Sequence, residues 1–169
     1  MSGKTIGRQL NNGFAGSFAR TPDMIITTRP AEGNDILFGK ALIKGTGSNV
    51  KLADATTTMA NFVGIAGKEV KTVFDYNNQD GVYKEGEAVS VFQRGSVNVI
   101  CANGAPSIGS PVYIAITTSA FTDAKVGDIC AEVEGNENTD YIKLTNAQWG
   151  GIADANGIAE LVLLTRANA

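Results

Sequence analysis

Two groups of acidic residues lie close enough together in the sequence to suggest chemistry. The first would be a carboxylate pair for acid–base catalysis, drawn from Asp75, Asp80, Glu85 and Glu87. These residues fall on turns in a charged stretch, where nothing would raise a carboxyl pKa. The second would be a calcium site, drawn from Asp123, Asp128, Glu132 and Glu134. Their spacing does not match an EF-hand loop, so a solvated acidic face is the favoured interpretation.

Other kinds of site find little support in the composition. The chain has no histidine, which excludes Ser-His-Asp and Cys-His nucleophilic sites. Cys101 and Cys130 lie too far apart for an ordinary zinc site without histidine, and their apolar surroundings predict buried structural thiols. Gly45-Thr46-Gly47 is too short for a phosphate-binding loop and lacks the Gly-Lys-Ser/Thr ending. We therefore predict no enzyme activity, no metal and no cofactor.

The element around which the chain is organised is the stretch from Gly86 to Cys101. On odd positions it carries Val89, Val91, Val97, Val99 and Cys101, and on even positions Ser90, Ser96 and Asn98. This alternation predicts a strand with one buried face, either bent at Arg94-Gly95 or divided there by a tight turn. Phe92 and Ile100 sit on the even face, so another sheet, the chain's own N-terminal arm or a partner is expected to cover it.

The rest of the chain predicts a fold built from short strands. About nine strands recur at roughly ten-residue spacing, separated by Gly, Asn and Asp turns, with no credible long helix. They include Met24–Thr28, Ile36–Ile43 broken at Gly39, Val50–Leu52, Phe62–Val70, Val82–Tyr83, Val112–Thr117, Asp128–Glu134, Tyr141–Trp149 and Ile158–Thr165. The prediction is a single all-β domain over residues 36–169, either a jelly-roll-like sandwich or a small barrel.

Residues 1–35 differ from the rest of the chain in composition and charge, and they are predicted to form an extended N-terminal arm. Glycines and prolines punctuate it, although Ile6, Leu10, Phe14 and Phe18 recur every four residues. Up to Pro30 the charge is +3, which leaves −6 for the remainder of a chain whose net charge is −3. A basic arm on an acidic body indicates that the two meet different surfaces. The open alternatives are a partly disordered tail and an arm that orders on a neighbouring subunit.

Two single residues allow both a structural and an interface interpretation. Trp149 is the only tryptophan and sits before Gly150-Gly151, so it is expected to pack inside the last hairpin or to anchor an interface. Packing is favoured. Arg94 is expected either to form an ion pair between subunits or to be a solvated turn residue.

Four segments of the chain resemble the structural cement proteins of tailed phages. They are Lys4-Thr-Ile-Gly-Arg-Gln-Leu-Asn-Asn-Gly-Phe-Ala-Gly-Ser-Phe-Ala-Arg, Phe62-Val-Gly-Ile-Ala-Gly-Lys-Glu, Gly86-Glu-Ala-Val-Ser-Val-Phe-Gln-Arg-Gly-Ser-Val-Asn-Val, and Gln148-Trp-Gly-Gly with Ala153-Asp-Ala-Asn-Gly-Ile-Ala-Glu-Leu. The resemblance implies a non-enzymatic virion protein that decorates the outside of the capsid and reinforces contacts between capsomers.

The resemblance also sets expectations for partners. The major capsid protein would be the binding partner, and the protein would form a dimer or trimer on the shell, with no direct contact to nucleic acid or membrane. Without a signal peptide or an apolar run of about 18 residues, it would be made in the host cytoplasm. The expected interface residues are Lys4, Arg8, Phe14, Phe18, Arg20, Arg29, Arg94 and Trp149.

Two alternative functions remain open at this stage. A virion-borne module that binds carbohydrate or the host surface is compatible with a β fold, because fold alone does not settle function. It would need exposed aromatic platforms, and seven Phe, four Tyr and one Trp leave few outside the core. A small β-fold hydrolase is disfavoured by the missing histidine.

Overall fold

The computed structural model describes residues 11–68, 81–118, 124–134 and 139–165. The regular elements in these ranges are all strands, which confirms the all-β prediction. They are β1 (Phe18–Pro30), β2 (Ile36–Leu37), β3 (Ala41–Lys44), β4 (Val50–Leu52), β5 (Phe62–Ala66), β6 (Val82–Tyr83), β7 (Ala88–Ile100), β8 (Val112–Ala115), β9 (Ile129–Cys130), β10 (Tyr141–Leu144), β11 (Ala147–Trp149) and β12 (Ile158–Leu163). No helix suited to crossing a bilayer is found in the described part of the chain.

Strand β7 is the centre of the fold. It belongs to a seven-stranded sheet with the order β11-β12-β7-β5-β3-β4, and β1 pairs with β7 as well. The half of β7 before Gly95 pairs with β5, and the half from Gly95 to Ile100 pairs with β12. Smaller sheets are formed by β10-β8-β9 and by β2-β6. All of these strand pairs are antiparallel, as the short turns between strands favour.

A β-bulge in β7 corrects one expectation about its alternation. Ile25 of β1 pairs with Arg94 and Ile26 pairs with Phe92, so Gln93 is an extra residue on β7. An extra residue moves the following side chains to the opposite face. The odd valines are all buried, as predicted, but those before the bulge and those after it face different hydrophobic cores.

The main core packs against β7 on both sides of the bulge. Phe92 enters it from the half before the bulge, and Val97 and Val99 enter it from the half after the bulge. It also contains Trp149, two side chains of β8 (Val112 and Ile114) and three of β12 (Ala159, Leu161 and Leu163). The second core contains Val89 and Val91 of β7 with side chains of β2, β3 and β6. A third, smaller cluster includes Cys130 and Tyr141 in the three-stranded sheet. Because β7 contributes to both larger cores, it joins the two halves of the body.

Strand β1 makes part of the expected arm an element of the main sheet. The predicted short strand at Met24–Thr28 is confirmed, but β1 extends from Phe18 to Pro30 along β7. The Thr21–Pro22 peptide in it is cis. Where β1 passes Gly95, a Cβ on that glycine would overlap the carbonyl oxygen of Asp23. The division of the chain near residue 35 stays a prediction, and residues 1–10 lie outside the described part.

Other strand boundaries show where local patterns fall short. Ile36–Ile43 divides at Gly39, as predicted, but its halves enter different sheets. Tyr141–Trp149, predicted as one strand, is two, because a turn at Thr145-Asn146 carries the chain from the three-stranded sheet to the main sheet. Asn146 fixes that turn by donating from Nδ2 to the carbonyl of Thr165 at 2.9 Å. The jelly-roll arrangement stays a prediction.

Candidate interaction surface

The buried polar side chain of Asn98 organises the surface at the start of the described chain. Asn98 is only 4% exposed. Its Nδ2 donates to the carbonyl oxygen of Asn12 at 2.5 Å and to Ser17 Oγ at 3.1 Å. Its main chain accepts from Gly16 N–H at 2.7 Å and donates to the carbonyl of Ser17 at 2.9 Å. The chain's own N-terminal segment, one of the three expected covers, therefore covers β7 at Asn98. It does not cover Ile100, which is 53% exposed, and Phe92 packs into the main core.

Two further anchors hold the same segment, residues 11–17, against the body. Asn12 N–H donates to Asp154 Oδ2 at 2.8 Å, and Asn12 Nδ2 donates to the carbonyl of Ile158 at 2.7 Å. On the other side, Lys68 N–H donates to the carbonyl of Gly16 at 2.7 Å. The segment thus bridges the loop before β12 and the end of β5. Residues bonded at both ends present their side chains in a fixed orientation.

Two phenylalanines project from this bonded region. Phe14 and Phe18 are 66% and 53% exposed. Lys68 Nζ lies 3.8 Å from the centre of the Phe14 ring, a cation–π contact. The Phe18 ring meets buried Phe92 edge-on, with centroids 5.1 Å apart. Exposed aromatic rings on a fixed backbone, beside a cation, are suited to contact another protein surface.

Arg20 is an exposed basic side chain two residues after Phe18 on β1. Its Nε lies 2.6 Å from Glu160 Oε1 of β12, and the guanidinium is largely exposed while the carboxylate is mostly covered. The hydrogen bond to Arg20 is the main cause of the lowered pKa of Glu160, and the same bond raises the pKa of Arg20. The Glu160 carboxylate holds Arg20 in place, and the guanidinium of Arg20 stays accessible to solvent.

The other two predicted arginines lie away from the phenylalanines. Arg94 Nη2 contacts Asp23 Oδ2 of the same chain at 3.1 Å, near the bulge. Arg29 lies near the far end of β1 and donates from Nη1 to the carbonyl of Ser48 at 3.3 Å. The Nε atoms of both are buried without a hydrogen-bond partner among the described residues. A register shift separates Phe18, which pairs with Val97, from Arg20, which pairs with Ser96, so the two side chains do not share a face of the strand pair. Arg29 and Arg94 lie elsewhere along the β1–β7 pair.

The remaining predicted interface residues do not add to this surface. Trp149 is 0% exposed and belongs to the main core, so it fits the packing interpretation and is not presented by the folded subunit. Lys4 and Arg8 lie outside the described residues.

One surface feature was missed by the sequence reasoning. Leu37 and Ile100 are both about half exposed and line a groove of about 420 Å³. Lys40 and Asp128 form an ion pair within it. Burial lowers the pKa of Lys40, and nearby Lys125 adds to this effect. The available signal was Ile100, an apolar residue on the otherwise polar face of β7; its groove partners come from distant segments and could not be read from the sequence.

Of the carboxylates considered for catalysis or metal binding, Glu87 and Asp128 each accept a backbone hydrogen bond within a turn. Glu87 Oε2 accepts from Lys84 N–H at 2.6 Å in a turn, and Asp75, Asp80 and Asp123 lie outside the described residues. No cluster of three or more Cys, Asp or Glu residues suited to a metal occurs in the described ranges. Cys130 is buried and Cys101 partly so, and both are free thiols. Burial raises the pKa of Cys130 to about 12.

Comparison with solved structures finds a chain of the same fold in a phage capsid. A solved structure described as "The capsid of Myoviridae Phage XM1" contains a chain with the same fold, with a TM-score of 0.70, 18% identity and 94% of each chain covered. The head fibre gp8.5 N base of bacteriophage phi29 matches at a TM-score of 0.46 and 11% identity, over 86% of this chain and 99% of that one. No curated protein is significantly similar in sequence.

Membership of a family follows from a match over nearly the whole sequence. The family described as "Structural cement protein (E217 gp24/Pam3 gp6)" matches residues 3–164. The match includes β1, which is fixed to the body by β7, and it reaches beyond β12 to Leu164. The chain belongs to the phage structural cement protein family.

Proposed function

We propose that this protein binds the outer surface of a phage capsid and stabilises the contacts between capsomers of the major capsid protein, without catalysing a reaction. The observation that carries this proposal is the family match over residues 3–164. The fold is compatible with the role, since β7 links two hydrophobic cores and gives the subunit a body that resists deformation.

The surface that contacts the capsid is proposed to include Phe14, Phe18 and Arg20. These side chains combine exposed aromatic area with positive charge, while residues after Pro30 carry a net charge of −6. Such an acidic body disfavours direct binding to nucleic acid. On the shell the protein is proposed to form a dimer or trimer at a symmetry axis. Its location is the virion, after synthesis in the host cytoplasm.

Residues 1–10, with Lys4 and Arg8, are proposed to bind the capsid or a neighbouring cement subunit. The sequence favoured this role for residues 1 to about 33, but β1 is a strand of the main sheet. Deleting the whole predicted arm would therefore remove part of the fold as well as a contact. The informative truncation stops at residue 10, before Asn12 bonds to the body.

The proposal is tested by co-sedimentation of the purified protein with cognate capsids that lack it. We expect saturable binding at a fixed copy number per major capsid subunit and a higher capsid melting temperature. Absence of binding to both immature and expanded shells would contradict the proposal and leave a glycan array as the test of the carbohydrate-binding alternative.

Substitutions then locate the contact surface. Phe14→Ala should weaken capsid binding, because an aromatic anchor at an interface commonly contributes more than 1 kcal/mol. Ile108→Ala is the matched control, since Ile108 is 84% exposed and lies in a different loop. If Ile108→Ala weakens binding and Phe14→Ala does not, the capsid meets another face of the subunit.

A further inference from the structure

A pocket lies between β1 and the loop after β3. It has a volume of about 260 Å³. Its lining consists of Arg29, Lys44, Gly47, Asn49, Val50, Val63 and Gln93. Gln93 is the bulged residue of β7, and a bulge re-aims a side chain that regular alternation would place elsewhere. The loop that contributes Gly47 and Asn49 contains the Gly-Thr-Gly sequence that was too short to bind a nucleotide phosphate.

The lining carries two positive charges and no carboxylate. Arg29 donates from Nη1 only to the carbonyl of Ser48, and its buried Nε has no partner in the described part of the chain. Lys44 Nζ donates to the carbonyl of Ala60 at 3.2 Å. Both cations are therefore bonded to neutral oxygens. A guanidinium and an ammonium lining one concave surface favour an anionic group, since charge-assisted hydrogen bonds are about twice as strong as neutral ones.

The acidic residue bonded to this loop shapes it without lining the pocket. Glu32 Oε2 accepts from Thr46 N–H at 2.7 Å and from Asn49 Nδ2 at 3.1 Å. The hydrogen bond from Thr46 is the main cause of the lowered pKa of Glu32, so this carboxylate stays ionised and bonded to the loop. The pocket wall is thus fixed before any ligand arrives, which reduces the entropic cost of binding.

We propose that this pocket receives the carboxylate of an Asp or Glu side chain from the capsid protein to which the subunit binds. The inference rests on the proposed function and adds the chemistry of one contact to it. The guanidinium of Arg29 and the ammonium of Lys44 hold the carboxylate oxygens, with Gln93 as a neutral donor. Val50 and Val63 are buried apolar side chains that suit the methylene groups of the incoming residue. The volume fits one side chain and is small beside the 300–1,000 Å³ usual for ligand pockets.

Substitutions that remove the positive charges of the pocket test the proposal, with capsid binding as the measurement. The variants are Arg29→Gln, Lys44→Gln and the double variant, each first shown to have the wild-type melting temperature. The matched control is Lys143→Gln, an exposed lysine on β10 in another sheet. We expect each pocket variant to weaken binding about tenfold or more, and binding of the double variant to depend less on salt concentration than binding of the wild type. Lys143→Gln should bind as the wild type does.

The outcomes separate this inference from the function on which it rests. If the wild type binds capsids and the double variant binds equally well, the pocket assignment is wrong and the cement role stands. If the wild type itself does not bind, the cement role fails and the pocket assignment fails with it. If Lys143→Gln weakens binding as much as the pocket variants do, the effect is general electrostatics and the specific site is refuted.

Carbodiimide cross-linking on assembled capsids supplies an independent measurement. The reagent activates a carboxylate, Lys44 Nζ attacks the activated carbon, and an amide bond forms as the reagent leaves as a urea with the carboxylate oxygen. We expect peptides joining Lys44 to an Asp or Glu of the capsid protein, at reduced yield with Arg29→Gln. Capsid cross-links at other lysines but none at Lys44 would overturn the proposal.

Discussion

Asn98 on β7 donates a hydrogen bond to the carbonyl oxygen of Asn12, 86 residues earlier in the chain. This bond is formed by a side chain that is almost wholly buried, and the same amide also reaches Ser17 Oγ. It attaches the segment bearing Phe14 to the central strand. The stability of the body and the orientation of the proposed contact surface are therefore linked through one residue.

Replacing Asn98 with alanine should lower the free energy of unfolding by about 1–3 kcal/mol, because partners left in a buried site lose their hydrogen bonds. Urea denaturation measures this change. Cleavage within residues 11–17 by a nonspecific protease should also accelerate under native conditions. The control is Asn156→Ala, in an exposed turn; equal stability of the two variants would show that the Asn98 bonds contribute nothing.

Gly95→Ala should destabilise the protein much more than Gly86→Ala does. Both glycines have positive φ, 103° and 81°, and this conformation costs other residues about 1–2 kcal/mol. Only at Gly95 would the new Cβ overlap another strand, at Asp23, whereas nothing lies within 4 Å at Gly86. Thermal unfolding of the two variants measures the difference. Similar losses would mean that β1 can move away from β7 without cost.

Substitutions of Trp149 should change the stability of the fold and should not change a direct contact with the capsid. It is fully buried, and among the described residues its Nε1 has no hydrogen-bond partner. Trp149→Phe should therefore cost less than Trp149→Ala, which we expect to cost about 3–5 kcal/mol through the cavity it leaves. In the wild type, tryptophan emission should be resistant to quenching by iodide, both free and capsid-bound. Quenching in the free subunit that disappears on binding would place Trp149 at the interface.

Lowering the pH should remove the contribution of the Arg20–Glu160 pair. The pKa of Glu160 is below its ordinary 4.5, chiefly because Arg20 bonds to the carboxylate. The unfolded chain therefore takes up this proton first, so the stabilisation is complete above about pH 4.5 and is lost as the pH falls through the lower, folded-state value. Denaturation of the wild type and Glu160→Gln at several pH values tests this. Their difference should shrink on acidification; a constant difference would contradict the assignment.

The two thiols should differ in reactivity. Burial raises both pKa values, that of Cys130 to about 12, and Cys101 is the more exposed of the two. Because the thiolate is the reactive form, iodoacetamide at pH 8 should modify Cys101 slowly and Cys130 hardly at all in the native protein. Mass spectrometry after timed labelling gives the rates, and both thiols should react readily in denaturant. Fast native labelling of Cys130 would show that its strand opens easily.

The sequence allowed the strands to be located better than it allowed their faces or sheets to be assigned. Alternation from Val89 to Val99 predicts the burial of the four valines correctly, but not that of Ser96 and Asn98 on the even positions. It does not reveal the bulge at Gln93, which depends on the pairing of β7 with β1. Likewise, nothing near Tyr141 indicates that the chain changes sheets at Asn146, since the bond that fixes the turn reaches Thr165.

The candidate surface was accessible from sequence only in part. Phe14, Phe18 and Arg20 stood out because large apolar and basic residues are unusual in a glycine-punctuated segment. Arg29 was selected for its charge alone, and its pocket depends on Lys44, Gln93 and the loop between them. Those residues come from separate strands, so only the folded sheet brings them together. For Trp149 the sequence favoured packing over an interface role, and its complete burial fits that interpretation.

The pairing of β7 has a consequence for translation. Two of its three ladders join it to β1, which starts at Phe18, and to β12, which ends at Leu163. Pairing between such distant segments is slow, and it requires both to be present. During synthesis the main sheet can be completed only after β12 has left the ribosome. A prematurely terminated chain would expose the unpaired edge of β7 from Gly95 to Ile100, so aggregation and proteolysis would remove incomplete subunits before they reach a growing virion.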